Sequence, residues 1–386
     1  MSQFQAATPA HSIPFNRCLP VGREREYMEQ ALASGILAGD GFFTRACNSW
    51  LRQHVGAAGA LLTTSCTHAL EMSALLLDLQ PGDDVIVPSF TFVSSINAFV
   101  LRGATPVFAD IRPDTLNIDD RLLPSLINMR TKAIVVVHYA GIGCEMDAIL
   151  ATANRAGIPV IEDNAHGLFG RYRGKNLGTF GAMATQSFHE TKNIACGEGG
   201  ALLINDGKLI DRAEIIREKG TDRTKFFRGQ IDKYGWVDVG SSYLPSEILA
   251  AFLLGQLEAC DVIQTRRRKI WETYRSELAD WAGANRVALP FVPDYCEQPY
   301  HMFYLLLPTL EIRQSFIAHM KERGITTPFH YVPLHSSPMG LRLGGRRGDC
   351  PVTERISDQL VRLPLFNTMS DNETALVIET IREFHC

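Results

Sequence analysis

Between about residues 58 and 205, short apolar runs alternate with segments whose apolar residues recur at helical spacing. Runs at 60–65, 84–88, 105–111, 132–138, 158–163, 183–188 and 200–204 are rich in β-branched residues and predict strands. The spacing predicts helices over 67–79, 94–102, 147–156 and 209–219. Val135-Val136-Val137 lacks inside–outside alternation, which suits a strand covered on both faces. Such strands alternating with helices predict an α/β domain with a largely parallel sheet. The pattern does not reveal strand order.

Beyond Pro245 the pattern changes. Ile248, Ala251, Phe252, Leu254, Leu257, Ile263, Ile270, Tyr274 and Leu278 keep helical spacing, and no proline occurs from Ser246 to Leu289. One long helix or two abutting ones are predicted there, joining a large domain to a smaller one. The expected division is a large α/β domain with an N-terminal arm over 1–258 and a small α+β domain over 259–386. Within the latter, 302–307 predicts a strand and 312–323 a helix. Ser370-Asp371-Asn372-Glu373 predicts a capping box opening a final helix. The glycine- and arginine-rich tract 340–349 predicts a mobile surface loop.

Composition narrows the class of protein. The chain has 386 residues, 46% of them hydrophobic and 21% charged, as in ordinary globular proteins. A net charge of -4 offers no general basic surface for nucleic acid. Met1 to Arg17 lacks the charged and apolar regions of a signal peptide, and no apolar run is long enough to span a bilayer. The 9 cysteines form no Cys-x-x-Cys pair and match no zinc or disulfide framework. Free thiols in a reducing cytoplasm are the economical expectation. No metal is expected.

Ligands of open α/β sheets sit beyond the carboxyl ends of the strands, so the residues just after each strand matter most. Ser65-Cys66-Thr67 follows the first predicted strand and opens a helix, where free amides can face an anion such as a phosphate. Equally, Ser or Thr there can simply cap the helix. Asp163 ends a mostly apolar strand and needs a partner, which a protonated pyridine nitrogen, a salt bridge or a helix cap would each supply. Glu162 should face the other way. Lys192 follows the sixth strand and precedes the turn-like Cys196-Gly197-Glu198-Gly199-Gly200. A lysine whose pKa is lowered can form a Schiff base, but most lysines are solvated surface groups.

Taken together and in order, these segments resemble the sugar-nucleotide aminotransferases of the DegT/DnrJ/StrS family over nearly the whole chain. The matching runs are Gly39-Asp40-Gly41, 61–67, 88–94, His138-Tyr139-Ala140-Gly141, 187–193, Arg217-Glu218-Lys219-Gly220-Thr221 and 329–335. The resemblance implies fold type I of the pyridoxal enzymes, with a mixed, mostly parallel sheet, and a homodimer with active sites at the subunit interface. It implies pyridoxal 5'-phosphate as cofactor, with pyridoxamine 5'-phosphate as its amino form. By position, Lys192 would carry the cofactor as a Schiff base and Asp163 would pair with the ring nitrogen. Phe92 would stack on the ring, His166 would lie beside its phenolic oxygen, and Ser65, Cys66, Thr67 and Ser187 would surround the phosphate. His330, Tyr331, Lys219 and Arg228 are candidate substrate contacts. The resemblance implies amination of dTDP-4-keto-6-deoxy-D-glucose with L-glutamate, or of another keto-deoxysugar nucleotide, at C3 or with the opposite C4 configuration. Many relatives have Gln at the place of His166, and many have Gly-Tyr-Asn-Tyr-Arg where this chain reads Gly240-Ser241-Ser242-Tyr243-Leu244.

Overall fold

In the computed structural model, which describes residues 12–386, the strands are numbered in chain order. They are β1 (Gly59–Thr63), β2 (Asp84–Pro88), β3 (Thr105–Ala109), β4 (Thr131–Val137) and β5 (Val160–Asp163). A small hairpin, β6 (Arg171–Tyr172) and β7 (Lys175–Asn176), precedes β8 (Met183–Ser187) and β9 (Gly200–Ile204). The main sheet has 7 strands in the order β1-β9-β8-β5-β4-β2-β3. From β3 through β8 the neighbours are parallel, whereas β9 runs antiparallel to both β8 and β1. The segment between β8 and β9 holds no helix, so the chain doubles back instead of making the crossover that a parallel pair needs.

All the predicted strands form, with shifted ends. Ser65, Ile111, His138 and Phe188 fall just past the strands to which the pattern assigned them, and so lie at the carboxyl edge of the sheet. The absence of alternation has the expected cause. Val85 and Val87 pack with Leu70 of helix Cys66–Leu76 and Phe99 of helix Ser94–Val100. Ile86, between them, joins Ile134, Met146 and Ile149 on the opposite face. Helices Phe42–Val55 and Glu247–Glu258 cover the β1–β9 end, with Leu51, Leu62, Leu203 and Leu254 in one cluster. Each large side chain buried this way contributes about 1.5–3 kcal/mol.

The apolar stretch after Ser246 is broken. Helices Glu247–Glu258 and Cys260–Glu277 meet at Ala259 with a 64° bend. Among the described residues no single helix is long and apolar enough to cross a membrane. Past the bend, β10 (Cys296–Glu297) pairs with β6, while β11 (Tyr304–Leu306) pairs with β12 (Leu360–Arg362). Trp271, Tyr274, Phe303, Phe316, Val377 and Ile381 form a separate apolar cluster there. The capping box at Ser370 and Glu373 is present and opens helix Asp371–Arg382. All the cysteines are free, and Cys47, Cys144, Cys196, Cys296 and Cys350 are buried. The tract 340–349 lies largely at the surface, as expected, but it is tied down at both ends. It begins inside helix Pro338–Arg342, and the Gly345 and Gly348 amides donate to the Gly340 carbonyl at 3.0 Å and to Glu354 Oε1 at 2.8 Å. A Cβ on Gly340 would fall 1.8 Å from the Leu334 carbonyl oxygen, so glycine is there for close packing.

Alternation along β5 sends Asp163 and Glu162 to opposite faces. Glu162 is fully buried; it accepts from the amides of Gly178 (2.8 Å), Phe180 and Gly181 (both 2.7 Å), and lies 2.9 Å from His138 Nε2. Glu162→Ala strands these donors and should cost about 3–5 kcal/mol of stability, read as a lower urea midpoint by circular dichroism.

Candidate active site

At the carboxyl edge of the sheet lies a pocket of about 680 Å³. One end is the start of helix Cys66–Leu76, which Ser65 caps by accepting from the His68 amide at 3.1 Å. The amides that follow lie in the first turn, where an α-helix has no acceptor for them. Thr67 Oγ1 lies 2.8 Å from Ser94 Oγ, and the Cys66 thiol contacts Thr185 Oγ1 at 3.4 Å, its pKa pushed up by burial. β9 can pass this turn only because residue 200 is glycine: a Cβ there would lie 2.3 Å from the Cys66 amide nitrogen. Ser187, at the end of β8, lines the same end of the pocket.

Asp163 forms a wall. Its Oδ2 accepts from Ser95 Oγ at 2.6 Å and its Oδ1 from the Ala165 amide at 3.1 Å, and Thr91 Oγ1 sits 2.7 Å from Ser95 Oγ. This arrangement orients the carboxylate. Lys192 enters from the loop between β8 and β9, and its amine has no hydrogen-bond partner among the described residues. Burial is the main cause that pushes the Lys192 pKa down to about 8, against opposing pulls from Cys66 and Asp163.

Farther along, the His166 ring stacks on His301, with centroids 4.4 Å apart and planes 21° from parallel. His166 Nδ1 is buried without a partner among the described residues, whereas His301 Nδ1 lies 2.9 Å from Asn193 Oδ1. His330 Nδ1 lies 3.1 Å from the Tyr139 hydroxyl. Burial holds all three imidazoles well below the ordinary histidine range, so they are neutral at pH 7. Phe92 is 56% exposed at the pocket mouth, 6.3 Å from the Tyr331 ring, and offers a free aromatic face.

The fold thus brings Ser65, Cys66, Thr67, Phe92, Asp163, His166, Ser187, Lys192, His330 and Tyr331 to one pocket. Lys219 and Arg228 are not among them. They line another cleft, of about 1330 Å³, because helix Ile210–Arg217 packs beside β1 and carries them away. There Lys219 pairs with Glu218 at 2.7 Å, and Arg228 grips both oxygens of Glu214 at 2.6 and 2.9 Å. His301 and Arg362 line the pocket and Ser95 holds Asp163 in its wall, and sequence reasoning singled out none of the three. The readable signal for Arg362 was a lone cation inside the apolar run 360–366; Ser95 and His301 had none.

Comparison with known proteins agrees with this geometry. The DegT/DnrJ/EryC1/StrS aminotransferase family matches residues 21–382, and the chain belongs to that family. It is 33% identical to the spore coat polysaccharide biosynthesis protein SpsC of Bacillus subtilis over 97% of each chain. It is 30% identical to the GDP-perosamine synthase of Escherichia coli O157:H7, over 97% of this chain and 98% of that one. The PLP-form of Spr1654 from Streptococcus pneumoniae superposes with a TM-score of 0.89 at 26% identity, covering 97% of this chain and 98% of that one. The architecture is fold type I, and the protein is an aminotransferase.

A lowered lysine pKa can be tested directly. In cofactor-free protein, Lys192 is protonated and unreactive below pH 8 and becomes a free amine above it. Its labelling by a small acylating reagent, followed by peptide mass spectrometry, should rise with a midpoint near pH 8, whereas exposed lysines rise near their usual pKa of about 10.4.

Proposed function

We propose that this chain transfers an amino group from L-glutamate to the keto carbon of a nucleotide-linked deoxysugar. On this reading it is a dTDP-4-amino-4,6-dideoxygalactose transaminase, converting dTDP-4-keto-6-deoxy-D-glucose and releasing 2-oxoglutarate. The observation that carries the chemistry is the unpartnered Lys192 amine in the same pocket as Asp163 and the capped helix start. The named sugar is supported by the runs at 88–94, 187–193 and 329–335, which resemble that subgroup.

The residues present fit pyridoxal phosphate. Ser65, Cys66, Thr67 and Ser187 suit its phosphate, and the unpartnered Nδ1 of His166 suits a phenolic oxygen. Phe92 would cover one face of the ring, and Lys192 would tether the cofactor through Nζ. When bound, pyridoxal phosphate supplies an electron sink for the bond-breaking at the donor's α-carbon. Asp163, oriented by Ser95 and the Ala165 amide, would pair with the ring nitrogen. The released Lys192 amine, poised near neutrality, is suited to move the α-proton, because reach and a matched pKa are what a general base needs. His330 and Tyr331, which line the pocket, would meet substrate there.

The same reading makes the protein a cytoplasmic homodimer, with Lys219 and Arg228 serving the partner subunit's pocket. Support comes from the exposed Phe42, Phe227 and Trp236, which are 65%, 67% and 82% accessible. It also divides the chain at residues 258 and 259, where the helices bend. A second reading, amination of a GDP-linked 4-keto sugar, is favoured by the kinship with GDP-perosamine synthase.

Lys192→Ala should bind cofactor yet lose essentially all turnover, and Asp163→Asn should lose most activity while keeping its fold by circular dichroism. Pyridoxamine-loaded protein mixed with dTDP- and GDP-linked keto sugars, with products read by NMR, decides the substrate. An axial 4-amino product from the dTDP sugar is expected. A GDP-linked, equatorial or 3-amino product would overturn the named reaction.

A further inference from the structure

Ser89, the residue after β2, is fully buried, and so is His335. His335 Nδ1 lies 2.6 Å from Ser89 Oγ, and its Nε2 lies 2.9 Å from Glu354 Oε1 on helix Pro351–Gln359. The Gly348 amide and His335 hold the Glu354 pKa down, so its carboxylate is ionised at pH 7 and can only accept. Nε2 is therefore the donor to Glu354, and Nδ1 is left to accept from the Ser89 hydroxyl. The backbone joins the same two segments: the His335 amide donates to Ser89 Oγ at 3.2 Å, and the Leu334 amide to the Ser89 carbonyl at 3.0 Å. A serine, a histidine and an acid in a row also make hydrolytic sites, but here the hydroxyl is closed off from solvent. The trio is a strut inside the protein.

Both ends of the strut carry groups of the pocket. Ser89 opens the segment that supplies one side of it. Thr91 Oγ1 in that segment sits 2.7 Å from Ser95 Oγ, which donates to Asp163 Oδ2 at 2.6 Å. Phe92, next to Thr91, stands at the pocket mouth. At the other end, His330 and Tyr331 precede His335 in the same loop and also line the pocket. The rings of Phe92 and Tyr331, one from each segment, lie 6.3 Å apart.

We propose that His335 is a positioning residue for transamination: through Ser89 it fixes the segment that presents Phe92 and, by way of Thr91 and Ser95, Asp163 to the cofactor. The inference rests on the transaminase reading above. A displacement of about 1 Å caused far from the reacting atoms can cost roughly 100-fold in rate, so the strut is read in turnover as well as in stability.

The test compares the pyridoxal-loaded wild type with Ser89→Ala, His335→Gln and His335→Asn. An Asn amide reaches the place of Nδ1 and keeps the Ser89 contact, whereas a Gln amide reaches the place of Nε2 and keeps only Glu354. Four quantities are measured: the circular dichroism of the bound cofactor's visible band, the cofactor dissociation constant by dialysis, kcat with glutamate and keto-sugar nucleotide, and the urea midpoint. Ser89→Ala and His335→Gln should shrink the cofactor band, weaken cofactor binding at least about threefold and lower kcat roughly 10- to 100-fold. His335→Asn should restore the band and hold affinity and kcat within about threefold of wild type. A lower urea midpoint alone, with band, affinity and kcat of the folded variants as in wild type, overturns the proposal. So does a loss in His335→Asn as large as that in His335→Gln. Should His335→Gln not fold, Ser89→Ala decides by the same criteria. A wild type that binds the cofactor but is not converted by glutamate overturns the transaminase reading itself, and band and affinity then decide the role of His335. A wild type that binds no cofactor overturns both.

Discussion

The pocket depends on one close passage of backbone. Gly200 of β9 pairs with Thr63 of β1 on one side and with Ser187 of β8 on the other, and its Cα touches the turn where helix Cys66–Leu76 begins. Through that single residue the capped helix start, the end of β8 and the loop carrying Lys192 are brought to one place. Any side chain at position 200 would have to occupy the space of the Ser65 and Cys66 backbone. The two antiparallel pairings at this edge therefore do more than close the sheet. They return the chain so that Lys192 faces the groups that end β1 and β5.

Neutral imidazoles at His166, His301 and His330 surround a lysine depressed towards neutrality and an arginine that meets no acid among the described residues. Asp163 is the carboxylate held in place opposite them, oriented by Ser95. Groups that are buried in this way and left partly unsatisfied cost stability, and they are the usual mark of a site shaped for ligands.

A buried polar chain links the C-terminal segments to the reactive loop. Arg267, its pKa lowered to about 9 by burial, donates to the carbonyls of Tyr300 and His301 and to Asn367 Oδ1. Asn367 in turn donates to the carbonyl of Asn193, the neighbour of Lys192, at 3.0 Å. The Asn193 side chain closes the circuit through His301 and the Pro299 carbonyl. Helix Cys260–Glu277 thus fixes the floor of the pocket without contributing a group that faces its interior.

Periodicity by itself determined the strands, the α/β class and the capping box at Ser370, because burial on two faces and helix capping are local in the chain. Chemistry at strand ends marked Ser65, Asp163 and Lys192, and the family resemblance added Phe92, His166 and Ser187. The order of the strands, the 64° bend at Ala259 and the pinned turn after Gly340 depend on contacts between distant residues, which no local pattern encodes. The placement of Lys219 and Arg228 in a different cleft was decided the same way. So were the arrival of His301 and Arg362 at the pocket and the grip of Ser95 on Asp163, since a side chain's role follows from its neighbours, and the neighbours are chosen only when the chain folds.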